Sequence, residues 1–287
     1  MKILVTGSNG QLGSELKLLA PEYPGFDFLF TDVNELDITD EIAIDSMVLK
    51  EKPDAIINCA AYTAVDKAEK EESMAYLINA KAPGNLARIA ARYNLFLIHI
   101  STDYVFGGTG YRPYSENDKK DPVSVYAKSK NAGETEVLNH AKTALIIRTS
   151  WLYSEFGNNF VKTIIKYAKE RGALNVIYDQ IGSPTYARDL AQTILAVIQK
   201  CAKPKGVSIY HYANEGVASW YDFAQAIIEI TGIPCKIKPV ETHEYPLPAA
   251  RPFYSVLNKA KIKQAFNLEI PYWRDSLVDC IGRLKSF

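Results

Sequence analysis

Short, strongly apolar runs alternate with amphipathic stretches along the first half of the chain, and this alternation constrains the fold more than any other feature. The apolar runs lie at residues 3–5, 26–30, 55–57, 95–100 and 144–147. Between them, as in residues 74–92, apolar side chains return every three or four positions, a spacing typical of helices. Strands this apolar are usually buried on both faces of a parallel sheet, and strands alternating with helices require βαβ crossovers. The pattern predicts an α/β fold with a Rossmann-type, doubly wound parallel sheet.

The pattern loosens beyond about residue 153. Helical stretches at 160–170, 189–199 and 221–231 are separated by loops marked by proline and glycine. A chain of 287 residues is long enough for one domain and a substantial appendage. We therefore predict a first domain over residues 1–153 and a smaller, substrate-binding lobe over 154–287, with some elements of that lobe returning to the sheet.

Composition excludes several classes of protein. Thirty-three basic residues balance thirty-three acidic ones, which argues against nucleic acid as a partner. No apolar run approaches the roughly 18 residues of a membrane span. Four widely spaced cysteines (Cys59, Cys201, Cys235 and Cys280) are typical of reduced thiols in a cytoplasm. The four histidines are scattered as well, so we expect a cytoplasmic protein without a metal site.

A glycine-rich turn directly follows the first predicted strand. Gly7, Gly10 and Gly13 form a GxxGxxG motif between that strand and a helix. Such a turn brings backbone N–H groups and a helix N-terminus onto a pyrophosphate, so residues 1–153 are predicted to bind a dinucleotide. Asp32, at the end of the second strand, is placed to bind the adenosine ribose. Its carboxylate favours a free 2′-hydroxyl, and we expect NADH to be usable.

Tyr126 and Lys130 form a YxxxK motif at the start of a helical stretch, so both side chains can face one cleft. A neighbouring ammonium is expected to lower the phenol pKa toward the working range. Thr102 follows the fourth strand, where a hydroxyl can bind a substrate carbonyl oxygen. The alternatives are an exposed helix surface for the pair and a simple strand-ending turn for Thr102.

Together these motifs resemble the extended short-chain dehydrogenase/reductases, and most closely the dTDP-4-dehydrorhamnose reductase family. The resemblance covers nearly the whole chain and includes GSNGQLG at 7–13, NCAAYTAVDKAE at 58–69, STDYVFGGTG at 101–110, VYAKSKNAGE at 125–134 and DQIGSPTYARDLA at 179–191. It implies reduction of the 4-keto group of dTDP-4-dehydro-L-rhamnose with NADPH or NADH. The product, dTDP-L-rhamnose, would serve cell-surface polysaccharide biosynthesis.

The resemblance also implies residue roles. Tyr126 would be the proton donor, with Lys130 as its partner and ribose ligand and Thr102 tuning the phenol. Cofactor contacts would come from the glycine turn and the ends of the second and third strands: Gly7, Gly10, Gln11, Leu12, Gly13, Asp32, Asp37, Ile38, Ala60, Ala61, Tyr62 and Thr63. Contacts to the sugar nucleotide would come from Thr102, Asp103, Tyr104, Trp151, Asn159, Gln180 and Arg251.

For two of the candidate substrate-binding residues, a structural role remains an alternative. The flat face of Trp151 suits a deoxy-sugar ring, but most tryptophans simply pack in a core. The guanidinium of Arg251 suits diphosphate oxygens, but an ion pair between the two lobes explains it equally well.

The chain departs from the family at one place. Some members dimerise around magnesium held by carboxylates, one of them in the helix after a GxPT segment, where this chain has Arg188. We therefore expect a monomer or homodimer without bridging magnesium, and Glu15 as a solvated helix residue. A salt bridge from Arg188 in place of the metal is an alternative.

Rival functions differ in how well the residues fit them. A nucleotide-sugar 4,6-dehydratase usually has Asp-Glu after the threonine, but here Asp103 is followed by Tyr104. A reductase or epimerase of another nucleotide sugar shares the same catalytic groups, although the family-specific segments disfavour it. A non-catalytic, dinucleotide-binding regulatory subunit, such as that of methionine adenosyltransferase, is the rival from another class.

Overall fold

The structure is a computed structural model and describes residues 1–200 and 206–284. Cys201 and the last three residues of the predicted second lobe lie outside the described residues. The described strands are β1 (Lys2–Thr6), β2 (Asp27–Phe30), β3 (Ala55–Asn58), β4 (Phe96–Thr102), β5 (Thr143–Thr149), β6 (Leu152–Tyr153), β7 (Ala173–Ile177), β8 (Ile181–Gly182), β9 (Thr185–Tyr186), β10 (Gly206–His211), β11 (Ala218–Ser219) and β12 (Lys236–Val240).

The helices alternate with these strands. They are α1 (Gln11–Leu19), α2 (Glu41–Glu51), α3 (Val65–Ala68), α4 (Glu72–Tyr76), α5 (Ala82–Tyr93), α6 (Val125–His140), α7 (Phe160–Glu170), α8 (Ala187–Lys200), α9 (Trp220–Thr231), α10 (Ala260–Phe266) and α11 (Trp273–Leu284). Among the described residues, no helix combines the length and apolarity that crossing a bilayer requires.

Six parallel strands form the central sheet in the order β10-β5-β4-β3-β1-β2. The chain runs outward from β1 to β2 and then crosses back to β3 on the other side of β1. This reversal opens a crevice at the carboxyl ends of β1 and β3, where ligands of doubly wound sheets bind. The predicted fold class is confirmed, and the five predicted apolar runs form β1 to β5.

Successive residues of the strands point to opposite faces of the sheet, and helices cover both faces. Ile3 and Val5 pack with α1 and α8, whereas Leu4 packs with α2, α5 and α6. Burial of each such side chain contributes roughly 1.5–3 kcal/mol. Because both faces are covered, these strands need apolar residues at every position, which explains the unbroken runs in the sequence.

A second hydrophobic core lies in the last part of the chain. It contains residues of α7, α9 and α11, among them Val161, Phe223 and Leu277. Short strand pairs accompany these helices: β7 with β12, β8 with β11 and β6 with β9. β10 also comes from this half of the chain, yet it pairs with β5 in the central sheet.

The helical stretch expected over residues 74–92 is interrupted. α4 and α5 are joined by a π-helical turn at Leu77–Lys81. The backbone of Asn79 in this turn lies against Gly133 of α6, so closely that a β-carbon on Gly133 would collide with the Asn79 carbonyl oxygen. Periodicity alone could not reveal this turn, because its cause is a tertiary contact.

Candidate active site

A cavity of about 990 Å³ lies at the carboxyl ends of the central strands, where the segment after β5 and the start of α9 meet the sheet. It reaches from the glycine turn after β1 and the Asp32 loop after β2 to the segment after β5. The predicted site residues that line it are Gly7, Gly10, Gln11, Leu12, Asp32, Asp37, Ile38, Ala60, Ala61, Thr63, Thr102, Asp103, Tyr104, Tyr126, Lys130 and Trp151. The cavity is large enough for a ligand of dinucleotide size at one end and a second molecule at the other.

The glycine turn requires glycine at its first and last positions. Gly7 has a φ of 66°, and a β-carbon there would lie 2.5 Å from the backbone nitrogen of Ala60. A β-carbon on Gly13 would lie 2.5 Å from the Gly7 carbonyl oxygen. Gly10 caps α1 without a side-chain hydrogen bond, so the first N–H groups of this helix stay available to an anion from the cavity.

Asp32 connects the end of β2 to the glycine turn. Its Oδ2 accepts a hydrogen bond from the Asn9 backbone N–H at 2.8 Å, and its Oδ1 accepts one from Val33 at 2.9 Å. Each carboxylate oxygen can accept a further hydrogen bond, and Asp32 lines the cavity. The carboxylate can therefore brace the turn and bind a ribose hydroxyl at the same time.

Tyr126 and Lys130 lie one turn apart on α6, which begins after its N-cap residue Ser124. Lys130 is buried, and its Nζ donates to the Ile100 carbonyl oxygen at 2.7 Å. Burial lowers the pKa of Lys130 to about 8. Burial also raises the pKa of Tyr126 to about 12, although the Thr102 hydroxyl opposes this shift. The expectation that Lys130 would lower the phenol pKa is therefore wrong, because burial exceeds any effect of the ammonium.

A buried ionic cluster, which was not among the predicted features, packs against the inner side of α6. Glu134 accepts hydrogen bonds from Arg148 through Nε and Nη2, both at 2.8 Å, and from Ser101 at 2.6 Å. Burial raises the pKa of Glu134, but Arg148, Ser101 and Lys120 together hold it below its ordinary value. The signal was available, since Glu134 follows Lys130 by one turn and ends the YAKSKNAGE segment.

Thr102, the last residue of β4, and Asp103, which follows it, both line the cavity. Thr102 Oγ1 accepts the Tyr104 backbone N–H at 3.2 Å and donates to Asp103 Oδ1 at 3.1 Å. Burial raises the pKa of Asp103 to about 7. The ring of Tyr104 meets that of Tyr126 edge to face, with centroids 5.8 Å apart. These contacts place three hydroxyls, those of Thr102, Tyr104 and Tyr126, and the carboxyl of Asp103 along one wall of the cavity.

Two stacked tryptophans line the cavity at its other wall. Trp151 has a φ of 47°, a conformation that is costly for a bulky residue and recurs at functional sites. Its ring lies 3.6 Å from that of Trp220, nearly parallel to it, and a β-carbon on Gly182 would strike the Trp151 ring. Trp220 comes from the second lobe, and no motif in the sequence pointed to it.

Five predicted site residues lie outside the lining of this cavity. Gly13 lies under the glycine turn, and Tyr62 is held through its backbone N–H and carbonyl by Asn79. Asn159 caps α7 and donates to Gln11 Oε1 at 2.9 Å. Gln180 is buried and donates to Thr242 Oγ1 at 3.1 Å.

Arg251, the fifth, pairs with a carboxylate. Its two terminal nitrogens donate to Asp66 at 2.9 and 3.1 Å, which joins α3 to the loop before α10. Hydrogen bonding from Arg251 holds the pKa of Asp66 below its ordinary value. This is the ion pair between lobes that the sequence analysis kept as the alternative.

Glu15 differs from its expected state. It was expected in solvent but is fully buried, because the segment after β6 covers α1. Ser154 donates to it at 2.6 Å, and Arg188 lies 3.8 Å away, within ion-pair distance. Burial, together with the nearby Glu155, raises the pKa of Glu15 to about 8.

Comparison with known proteins agrees with this geometry. The family model of the RmlD substrate binding domain matches residues 1–286. The dTDP-4-dehydrorhamnose reductase of Aggregatibacter actinomycetemcomitans is 41% identical over 96% of this chain and 97% of its own length.

Two solved structures are similar over almost all residues. The Clostridium acetobutylicum dTDP-4-dehydrorhamnose reductase is 42% identical with a TM-score of 0.93, covering 99% of this chain and 100% of its own. The Bacillus anthracis dTDP-4-dehydrorhamnose reductase in complex with NADP is 40% identical with a TM-score of 0.93, covering 98% and 99%. Matches of this identity and coverage show that the chain belongs to the dTDP-4-dehydrorhamnose reductase family.

Proposed function

We propose that the protein is an NAD(P)H-dependent oxidoreductase that reduces the 4-keto group of dTDP-4-dehydro-L-rhamnose to dTDP-L-rhamnose, a step of rhamnose and polysaccharide biosynthesis. The observation that carries this proposal is one cavity that holds a glycine turn at one end and Thr102, Tyr126 and Lys130 at the other. The names of the similar proteins support the same substrate.

The cofactor end fits a nicotinamide dinucleotide. The uncapped N-terminus of α1 would hold the pyrophosphate, and Asp32 would bind the adenosine ribose. Lys130 lies at the other end of the cavity and would bind the nicotinamide ribose. Asp32 favours NADH by its charge, while a similar protein is in complex with NADP, so we propose that either cofactor is used.

The residues around the keto group supply the proton and stabilise charge. The reduced nicotinamide supplies a hydride to the carbonyl carbon. Tyr126 carries its proton at neutral pH, since burial raises its pKa further above the ordinary phenol value, to about 12, and it can donate that proton to the more basic alkoxide oxygen that forms. Thr102 can donate a second hydrogen bond to that oxygen as negative charge develops. The face formed by Trp151 and Trp220 would pack against the deoxy-sugar ring.

The rival functions lack specific support in this cavity. A dehydratase needs a second acid after Asp103, where Tyr104 instead packs on Tyr126. A regulatory subunit would have no use for the buried Lys130 and the paired donors Tyr126 and Thr102 at one point of the cavity. An epimerase of another nucleotide sugar is distinguished by its product.

We also propose a monomer or a homodimer without bridging magnesium, and a location in the cytoplasm. The guanidinium of Arg188 faces Glu15 at 3.8 Å, which would repel a cation there. Free thiols at Cys59, Cys235 and Cys280 support a reducing compartment. Light scattering with magnesium or with a chelator should give the same mass, and a magnesium-dependent dimer would contradict the proposal.

Steady-state reduction tests the function. Purified protein should oxidise NADH or NADPH, followed by near-ultraviolet absorbance, only when dTDP-4-dehydro-L-rhamnose is present. The saturated dTDP-L-rhamnose serves as the matched control. If NADH or NADPH is oxidised only with a different keto-sugar nucleotide, that nucleotide is the substrate and the assignment made here is wrong. If the protein binds the cofactor but oxidises it with no keto-sugar nucleotide, the regulatory subunit is favoured.

A further inference from the structure

Asp103 combines deep burial with incomplete hydrogen bonding at the wall of the cavity. It lines the cavity although only 2% of the residue is exposed. Its Oδ1 accepts the Thr102 hydroxyl at 3.1 Å, whereas its Oδ2 has no hydrogen-bond partner of ordinary geometry among the described residues. The Ser255 hydroxyl and the backbone N–H groups of Asp103 and Tyr104 lie close enough to lower its pKa, but burial has the larger effect. A buried ionised carboxylate normally needs several donors. This environment therefore disfavours the ionised form.

The Thr102 hydroxyl has one proton to donate, and its neighbours decide where that proton points. Its oxygen already accepts the Tyr104 N–H at 3.2 Å. An ionised Asp103 can only accept, so it takes the Thr102 proton through Oδ1 and directs it away from the cavity. A protonated Asp103 can instead donate to Thr102 Oγ1, which releases the threonine proton toward the cavity.

We propose that Asp103 is a positioning residue that sets the direction of the Thr102 hydroxyl, and that reduction proceeds through the form in which Asp103 is protonated. In that form Thr102 and Tyr126 both donate to the substrate oxygen on which negative charge develops. In the ionised form that oxygen loses one donor. The inference rests on the proposed reductase function, and it adds that the protonation of Asp103 controls the rate of keto-sugar reduction.

The surroundings of Asp103 fit this role. The groups near it are Tyr104 on its own turn, Tyr126 on α6, Ser255 in the loop before α10 and, beyond Tyr104, the ion pair of Arg251 and Asp66. Burial raises the pKa of Asp103 to about 7, while the hydroxyls of Ser255 and Thr102 oppose the shift. Arg251 is already neutralised by Asp66 at 2.9 Å. Protonation of Asp103 therefore changes within the physiological pH range.

The sign of the pH dependence follows. Below about pH 7 Asp103 is protonated and the Thr102 proton faces the substrate, so kcat/KM is high. Between about pH 6 and pH 8 the protonated fraction falls about tenfold, and kcat/KM should fall with it. Burial lowers the pKa of Lys130 to about 8, so loss of its proton can cause a second fall in kcat/KM at higher pH. The variants must therefore distinguish the fall caused by Asp103 from the fall caused by Lys130.

The test is the pH profile of kcat/KM for keto-sugar reduction in the wild type and three variants. Asp103→Asn always has an amide donor for Thr102, so the fall in kcat/KM near pH 7 should disappear in this variant, whatever its absolute activity. Thr102→Val should lose the same fall, because no hydroxyl remains to be directed. Thr102→Ser is the matched control, and it should keep the fall. Cofactor binding by tryptophan fluorescence reports whether each variant is folded.

The outcomes separate the inference from the proposed function. A wild type that reduces no keto-sugar at any pH overturns the function and the inference with it. A wild type that is active but has a flat profile, or a fall near pH 7 that persists unchanged in Asp103→Asn, overturns the inference alone. If Asp103→Asn fails to fold, a fall kept in Thr102→Val overturns it, and a fall lost there but kept in Thr102→Ser supports it.

Discussion

The two ends of the cavity are built in different ways. At the cofactor end, one continuous segment leads into the N-terminus of α1 and presents its backbone N–H groups, and Gly7 and Gly13 leave no room for a side chain. At the catalytic end, side chains converge from separate elements: Thr102 at the end of β4, Tyr126 on α6 and Trp220 on α9. Changes at the first end should alter cofactor binding, and changes at the second should alter turnover.

The largest effect is expected at the catalytic end. Tyr126→Phe removes only the proton donor, so we expect kcat to fall by roughly 10²–10⁴. Titration of the variant with NADPH should give a dissociation constant close to that of the wild type. Wild-type turnover in this variant would remove the proton-donor assignment.

The support beneath the catalytic end should matter for stability. Glu134→Gln leaves Arg148 buried without its counterion, and we expect a loss of about 3 kcal/mol in the free energy of unfolding. Because the pKa of Glu134 is lowered in the folded protein, its stabilisation is present above the unfolded pKa of about 4.3 and is lost as pH falls. Urea unfolding should therefore show the difference from wild type shrinking in acid. A difference that is constant with pH would contradict an ionised Glu134.

The cofactor end should respond in affinity and not in turnover. Asp32→Ala removes the ribose acceptor, so we expect NADH to bind about tenfold more weakly, or about 1.4 kcal/mol. NADPH should lose less, because the carboxylate disfavours its 2′-phosphate. Titrations with both cofactors check this, and equal losses would show that Asp32 only braces the turn through Asn9.

The smallest effect is expected where the lobes meet. Arg251→Ala breaks the partly exposed pair with Asp66, and such pairs contribute about 1 kcal/mol or less. Its thermal unfolding midpoint should therefore change little. A large rise in KM for the sugar nucleotide, with unchanged stability, would instead assign Arg251 to the substrate, as the sequence analysis proposed.

More of the site could be predicted from the sequence at the cofactor end than at the catalytic end, and the reason is physical. The glycine turn and Asp32 are set by local backbone geometry, and local geometry leaves a local motif. No local motif marks Trp220, because its position beside Trp151 depends on how α9 packs against the rest of the protein. The burial of Glu15 and the raised pKa of Tyr126 were also out of reach, since both come from segments distant in the chain that exclude water.

The central claim is that this cavity transfers a hydride to C4 of the sugar and a proton to the oxygen on C4. The most direct measurement uses cofactor carrying deuterium in both positions at C4 of the reduced nicotinamide, with NMR of the sugar-nucleotide product. The expected product is dTDP-L-rhamnose with deuterium at C4 of the sugar, one per cofactor oxidised, and it should form roughly 10²–10⁴ times more slowly in Tyr126→Phe. Unlabelled product, or label at another carbon, would contradict it.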